Sequence, residues 1–336
     1  MISIQCCKQF KKVESIWRLL WKDGNATIYQ SPEYIKMVCK YFFPYKFILR
    51  KTPCFIVFYE DETPIMILPL FKSWFKKSYI LFGYKAGCGY LDAVYSKSMT
   101  LKKMEKCFEV LYRAKGIRDI QVYHVKEDSL LGQYILQTQK VIQESVCTTI
   151  ALPESFDEYN ASLSKNSRQN IRTAYNRLEK QEKKHELEIY DASKTPKKLR
   201  SSLLRLYADR QVLHYKKAGG FLYRLFIRFI DIGTKLQTKY EGRSRVFVLK
   251  IDGKVAAYFD AIYTDYSIVI PRLAIQEEFN WFSPGIILLN ESIKVLCAEK
   301  EIRVIDLTHG AERYKLAMGG AVAKCIQANL QIKGKE

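Results

Sequence analysis

The sequence predicts an α/β protein built twice over: two domains, each a sheet flanked by helices. Three observations carry that reading. The first is size, since 336 residues is about twice an ordinary domain of roughly 150 residues. The second is composition: 48% apolar residues with mixed charge can bury a core, which a disordered chain cannot. The third is a repeated hairpin. Strand-patterned residues 55–59, a turn at Glu60-Asp61-Glu62 and residues 64–70 recur as 246–251, Asp252-Gly253 and 255–262. Laid over each other, FIVFYEDETPIM and VFVLKIDGKVAA bring Asp61 onto Asp252, and a helix-patterned stretch precedes each copy (32–43 and 196–211). Self-similarity of this kind marks a duplicated unit. The expected division is an N-terminal domain over residues 1–152 and a C-terminal domain over 153–336.

Each element follows from spacing. Residues 10–21 put Phe10, Val13, Trp17, Leu20 and Trp21 at helical intervals, with Lys11, Lys12 and Arg18 turned away. Such a basic amphipathic helix either docks on the protein's own core or makes peripheral membrane contact. Ser31 and Pro32 start a helix reaching Phe43, the serine as cap and the proline in the first turn. Asp-Gly between apolar runs closes the second hairpin well; Glu-Asp-Glu closes the first less well. Residues 157–184 read as one long helix. Leu163, Ile171, Ala174 and Leu178 lie on one side, with Lys165, Arg168 and Arg172 within about 60° of one another on the other. Residues 266–275 form a strand in which Pro271 must sit at a bulge or edge, because it has no N–H to give. A helix over 283–299, a buried strand over 303–307 and a short helix over 312–318 follow. Gly319-Gly320 breaks that helix before a last strand over 322–332, assigned to the second domain.

Several function classes are excluded. No charge-free apolar stretch approaches the roughly 18 residues that a membrane span needs, and Lys8, Lys11 and Lys12 stand where an export signal would be apolar. Nine cysteines without a CxxC pair fit neither a disulfide framework nor a zinc site and point to a reducing, cytoplasmic setting. Four scattered histidines without HxxxH spacing argue against a catalytic metal. There is no GxSxG elbow and no GxxxxGK[ST] phosphate loop; Gly87-Cys88-Gly89 reads as a turn. The net charge of +20 divides into +10 for residues 1–150 and +10 for 151–336. A field this broad concentrates anionic ligands, among them nucleotides, phosphorylated sugars, RNA and lipid head groups, although a well-solvated surface has the same composition.

Two segments carry chemistry. In residues 280–289, Ser283 is a natural cap, Pro284 gives up an N–H that would be orphaned, and Gly285 lets another molecule approach the backbone. Free N–H groups at such a helix start suit a pyrophosphate. In residues 304–315 an apolar strand ends at Asp306, with His309, Glu312, Tyr314 and Lys315 close behind, and strand carboxyl ends are where open α/β sheets place their sites. Tyr314 either protonates a leaving group or bonds a neighbouring carbonyl. Asp306 either orders a turn or acts as a base, and His309 is a base near neutral pH or simply a solvated loop residue.

SLSKNSRQNIRTAYNRLEKQ (162–181), LYADRQ (206–211), VFVLKIDGKVAA (246–257), FSPGIILLNESI (282–293) and IDLTHGAERYK (305–315) together resemble the GNAT-fold acetyltransferase-like family often labelled CelD/BcsL, related to the FemAB aminoacyl transferases. The resemblance runs from about residue 15 to about 320. It implies two tandem GNAT-like domains, each a mixed, mainly antiparallel sheet flanked by helices, with the acyl-donor site in the second. Carried over residue by residue, Ser283, Pro284, Gly285 and Ile286 match the helix start facing the donor's pyrophosphate. Tyr314 matches the tyrosine of a G-x-x-x-Tyr-Lys ending, and a backbone N–H on the splayed strand, at Arg272, Leu273, Ala274 or Ile275, is expected to polarise the thioester. Asp306, His309 and Glu312 remain alternative bases. Lys165, Arg168, Arg172 and Lys315 are candidate substrate contacts. A GNAT phosphate loop is usually richer in glycine than this one, and Ala311 and Arg313 depart from the family's commoner residues.

The resemblance implies an N- or O-acyltransferase. It would take acetyl-CoA or another acyl-CoA as co-substrate, and an amine or hydroxyl of an anionic, sugar-type or envelope-precursor molecule as acceptor. One rival keeps the fold and takes aminoacyl-tRNA as donor, which the +20 charge suits; another is a catalytically inactive GNAT-like binding module.

Overall fold

The computed structural model describes residues 1–23, 27–42, 50–74, 78–84, 88–214 and 243–332. It divides into two compact units, residues 1–146 with 323–336, and residues 147–322.

The first unit begins with strand β1 (Ile2–Cys7), helices α1 (Glu14–Asp23) and α2 (Pro32–Phe42), and the hairpin β2 (Lys51–Glu60) and β3 (Thr63–Ser73). The short strands β4 (Tyr79–Leu81) and β5 (Val94–Tyr95), helix α3 (Leu101–Lys115), strand β6 (Asp119–Lys126), helix α4 (Leu130–Thr138) and strand β7 (Val141–Ala151) follow. Its sheet runs β1-β2-β3-β4-β6 and ends on the last strand of the chain, described below, with β5 paired to β3. The predicted face is buried, although residues 10–21 form a short 3₁₀ turn (Phe10–Lys12) followed by α1 and not one helix. Phe10, Val13, Trp17 and Leu20 are buried, and Trp17 meets Phe10 and Phe55 edge-on while its indole N–H donates to the Gln30 carbonyl at 2.7 Å. That stripe is spent on the protein's own core, not on a membrane. Among the described residues no helix is long and apolar enough to cross one.

In the second unit, residues 147–151 of β7 lead into α5 (Phe156–Ser162), α6 (Lys165–Lys180), β8 (His185–Asp191) and α7 (Lys197–His214). The hairpin β9 (Ser244–Ile251) and β10 (Lys254–Tyr263), strand β11 (Ser267–Ile275), helix α8 (Pro284–Ala298), strand β12 (Val304–His309) and helix α9 (Arg313–Ala317) complete it. The strand order is β7-β12-β11-β10-β9-β8. Its core gathers Phe247, Phe259, Leu288 and Ile305 with Leu163, Ala174 and Leu178 from the helical region. Each unit is a mixed, mainly antiparallel sheet flanked by helices.

Three expectations are corrected. The long helix over 157–184 is two helices. Leu163 is extended, and Ser164 caps a fresh start by accepting the Ser167 N–H at 3.0 Å; a serine hydroxyl competes well for the orphan donors of a helix start. The last strand, β13 (Ala321–Gln331), pairs antiparallel with β6 from Cys325↔Lys126 to Gln331↔Asp119. The chain end therefore belongs to the first unit, and the division differs from 1–152 and 153–336. Pairing over two hundred residues of separation leaves no mark on local periodicity. Gly87, part of the predicted turn, lies outside the described residues, as does Phe43 at the expected end of α2.

The duplicated hairpins turn alike. Asp61 and Glu62 have φ of 46° and 67°, Asp252 and Gly253 48° and 76°, the left-handed pair of a two-residue turn that matches strand twist. A Cβ on Gly253 would meet nothing within 4 Å, so its requirement is purely conformational. Gly253→Val should destabilise the protein by about 1–2 kcal/mol and Gly253→Asn by much less, as read by chemical denaturation; equal losses would remove the turn argument.

Candidate functional site

The predicted residues converge where β11 leaves β12. The two strands run parallel, and their pairing covers three positions, Ser267↔Val304, Ile268↔Ile305 and Val269↔Asp306. Beyond these, both continue without further pairing to each other, β11 to Ile275 and β12 to His309. The register of β11 decides what faces the gap. The Gln276 N–H bonds the Ala256 carbonyl on the β10 side, and Arg210 Nη1 reaches the Leu273 carbonyl at 2.8 Å. Because the N–H and C=O of one strand residue point the same way and alternate along the strand, residues 271, 273 and 275 face the gap and 272 and 274 face β10. Of the four positions predicted to polarise a thioester, Leu273 and Ile275 carry the N–H groups so directed. Pro271, with no N–H, takes a gap-facing position where the departure of β12 leaves no ladder bond to lose, opposite a shift of register between Asp260 and Ile262.

The carboxyl end of β12 is held open by Lys315. This side chain is 3% exposed. Its Nζ donates to the carbonyls of Leu307 (2.9 Å), His309 and Gly310 (3.3 Å), and pairs with Glu312 Oε2 at 2.9 Å. An ammonium has three protons, and these acceptors occupy them. Lys315 is thus a structural clamp, which corrects its assignment as a substrate contact, and Glu312 is the clamp's counter-ion. Asp306 Oδ1 accepts the Thr308 N–H at 2.7 Å, so it orders the turn. Thr308 takes a φ of 56°, a strained value for a β-branched residue, and its hydroxyl spans the mouth of the gap to the Ile270 carbonyl at 3.4 Å. His309 is half-buried, its backbone carbonyl bound by the clamp and its position opposite Cys147 of β7.

Tyr314 packs against the core at the start of α9. Burial pushes its phenol well above the ordinary range; Glu312 adds to this and the Arg210 charge opposes it. It therefore keeps its proton through neutral pH. Arg210, on α7, thus touches the gap-facing backbone of β11 and is felt by Tyr314, two segments that no sequence spacing joins.

The start of α8 differs from its prediction. Ser283 occupies the cap position at a φ of 54°, with no cap bond from its side chain. Its carbonyl takes the Ile286 and Ile287 N–H groups at 3.0 and 3.4 Å. Gly285 has the first-turn N–H without a partner among the described residues, and its Cα faces Ile275, whose Cδ1 would lie 3.0 Å from a Cβ there. Positive charge comes from a residue the sequence reading missed. Arg177 of α6 donates to the Trp281 carbonyl at 2.7 Å and the Ser283 hydroxyl at 3.4 Å, and its guanidinium stacks 4.4 Å over the exposed Trp281 ring. Arg168, by contrast, is turned to the end of α5, where Nη1 donates to the carbonyls of Leu163 and Ala161, a cation at a helix carboxyl terminus. Lys165 and Arg172 are exposed on α6.

The Arg272 side chain leaves the gap altogether. It pairs with Asp260, its cross-strand neighbour, at 2.9 Å with both side chains 4% exposed, and lies 5.3 Å over the Tyr207 ring of α7.

The corresponding place in the first unit is filled by its own chain. Strand β4 pairs parallel with β6 only at Tyr79↔Ile120 and Ile80↔Gln121, and then the buried Tyr90 and Leu91 enter, with the Leu91 N–H on the His124 carbonyl at 3.2 Å. Beside them is a polar cavity of about 550 Å³ lined by Gln30, Asp92, Tyr95, Lys126 and Asp128. Burial pushes the Asp92 carboxyl up to about 7. Bonds from Ser129 and the Ala93 N–H oppose the shift, Asp128 adds to it and Lys126 opposes it.

Two measurements test these assignments. Lys315→Met strands the Leu307 and His309 carbonyls, while Gly310 keeps its bond from Thr148 and Glu312 stays in contact with solvent; it should cost about 3 kcal/mol of stability, whereas Arg172→Ala should cost less than about 0.5 kcal/mol. A folded, undiminished Lys315→Met protein would overturn the clamp. Asp92 ionises near pH 4 unfolded and about 7 folded. The protein should therefore lose stability as pH rises between those values, and Asp92→Asn should flatten the slope. Denaturation midpoints across that window read it directly.

Residues 165–316 match the family model described as Acetyltransferase (GNAT) domain. No curated protein sequence matches the chain. Among solved structures, the chain is similar to FemX at a TM-score of 0.58 and 11% identity, covering 96% of each chain. It is also similar to a tandem GNAT protein from the clavulanic acid biosynthesis pathway at a TM-score of 0.53 and 9% identity, covering both chains in full. L-PGS from Bacillus licheniformis is similar at a TM-score of 0.52 and 11% identity, with 96% of this chain and 92% of that one covered. Residues 165–316 thus carry an acetyltransferase (GNAT) domain, and the chain as a whole has the tandem GNAT fold.

Proposed function

We propose that the second unit is an acyltransferase moving an acyl group from acyl-CoA to an amine or hydroxyl of a small-molecule, sugar or envelope-precursor acceptor in the cytoplasm. The observation that carries this reading is the gap between β11 and β12, with the Leu273 and Ile275 N–H groups turned into it and Tyr314 and Arg210 at its end. A thioester carbonyl in the gap meets donors fixed before reaction, which stabilise the oxyanion as it forms. The acceptor's lone pair attacks the carbonyl carbon, the C–S bond breaks, and the Tyr314 hydroxyl gives its proton to the departing sulfur. The acceptor's own proton leaves to water or to His309. Asp306 and Glu312 are poorer bases, the one accepting the Thr308 N–H and the other paired with Lys315. Arg210 places a positive charge where thiolate develops. The Gly285 N–H and Arg177 at the start of α8 suit the donor's phosphates, and the exposed Trp281 offers a stacking face for its base.

The +20 charge, the exposed Lys165 and Arg172, and the likeness in fold to FemX favour a second reading in which aminoacyl-tRNA is the donor. The inactive binding module makes the same surface without turnover. Acetyl-CoA at a hundredfold excess over its Kd should stabilise the protein by about 2.7 kcal/mol, while tRNA binding should weaken steeply with salt. Stabilisation by tRNA alone would replace the CoA reading with the second. Tyr314→Phe should lower kcat by about 10²–10⁴ without loss of acyl-CoA binding. An unchanged kcat across pH would remove Tyr314 as the acid.

A further inference from the structure

At the edge of the first unit, two cysteines face each other across neighbouring strands. Cys6 lies opposite Ile56 in the β1–β2 register, so Cys54, two residues along β2, shares its face. The two sulfurs are 3.3 Å apart. Cys6 is exposed and Cys54 buried; of the other seven cysteines, Cys39 and Cys88 are half-buried and the rest buried. Both line a cavity of about 470 Å³ whose rim carries Lys8, Lys72 and Lys115. Hydrogen bonding from Cys54 lowers the Cys6 thiol to about 6 despite partial burial, with Lys115, Lys8 and Lys72 lowering it further. The same bond and burial hold Cys54 well above the thiol range. One sulfur is thus an accessible thiolate at neutral pH and its neighbour a retained thiol, the division of labour that thiol–disulfide exchange requires.

We propose that Cys6 and Cys54 form a thiol-exchange site for small anionic disulfides and thiols, drawn in by the three lysines. The Cys6 thiolate attacks one sulfur of the incoming disulfide, forming a mixed disulfide and expelling the first small thiolate. Cys54 then gives up its proton and attacks Cys6 Sγ, which releases the second small thiolate and closes a Cys6–Cys54 bond. The protein dithiol loses two electrons and two protons, and the small disulfide is reduced to two thiols. The closed bond ties the edge strand β1 to β2. The site stands apart from the acyltransferase reading and does not depend on it.

The test compares the dianionic dithiobis(nitrobenzoate) with the uncharged dithiodipyridine, each rate divided by that of the urea-unfolded chain. The folded protein should show one fast phase releasing two small thiolates per chain, with a pH midpoint near 6. Intact mass should fall by two hydrogens, and peptide mapping should join Cys6 to Cys54. The dianion should be favoured at least about tenfold at low salt, and the preference should fade as salt screens the lysines. Cys6→Ser should abolish the fast phase, while Cys54→Ser should stop at the mixed disulfide with one thiolate released. A Cys6 rate no faster than in the unfolded chain would overturn the proposal. So would a map of the unmutated protein showing Cys54 still free, a result that needs no variant to fold.

Discussion

The ammonium of Lys315 is what allows β12 to part from β11. A strand that leaves its neighbour strands carbonyls, and buried carbonyls without donors cost of the order of 1–3 kcal/mol each. Here the carbonyls of Leu307, His309 and Gly310 turn onto one buried Nζ, balanced by Glu312. Thr148 adds a second donor to Gly310 at 2.7 Å. The carbonyl end of β12 is therefore a bonded conformation of the backbone and not a defect. The matching side is β11, where Pro271 lacks the N–H and Arg210 caps the Leu273 carbonyl. The carbonyls on both sides are thus bonded without the strands reaching for each other, and the Leu273 and Ile275 N–H groups are turned away from β10.

The first unit shows the alternative outcome of the same topology. Its β4 and β6 also separate after two paired positions, but the segment through Tyr90 and Leu91 bonds along β6 and closes the space. What remains is a side cavity where desolvation pushes the half-buried Asp92 carboxyl up to about 7. Duplication thus yields one unit whose parallel strands part and one in which a further segment bonds beside them. That asymmetry supports the proposal that the transfer chemistry belongs to the second unit.

Much of this was legible because it is local. The Asp61 and Asp252 turns, the amphipathic stripe of α1 and the position of Pro271 each follow from periodicity or backbone sterics within a dozen residues. The hidden parts depend on distance. Arg210 and Leu273 are 63 residues apart and Arg177 and Trp281 are 104 apart, so no spacing connects them. Lys315 was legible as a lysine beside a tyrosine, yet nothing local separates a buried clamp from a solvated cation. The break at Leu163 was readable in principle, since Ser164 and Ser167 make a capping pair; the apolar side of the helix continues through the break and masks it. The exchange of β13 into the first unit follows from register alone, which one sequence does not encode locally.

These facts together favour positioning over strong acid–base catalysis. The carboxylates near the gap are engaged, Asp306 by the Thr308 N–H and Glu312 by Lys315, so each would have to break a structural bond to accept a proton. Tyr314, held neutral by burial, is well suited to give a proton and poorly suited to take one. In the proposed reaction, fixed backbone donors, one retained acid and the Arg210 charge would lower the barrier chiefly by holding reactants in register, an effect large enough to supply about 7–11 kcal/mol. An acceptor that attacks as a neutral amine needs little more, whereas a hydroxyl acceptor needs a base that this arrangement does not keep free. For the proposed transfer, the amine is therefore the acceptor that this arrangement of groups favours.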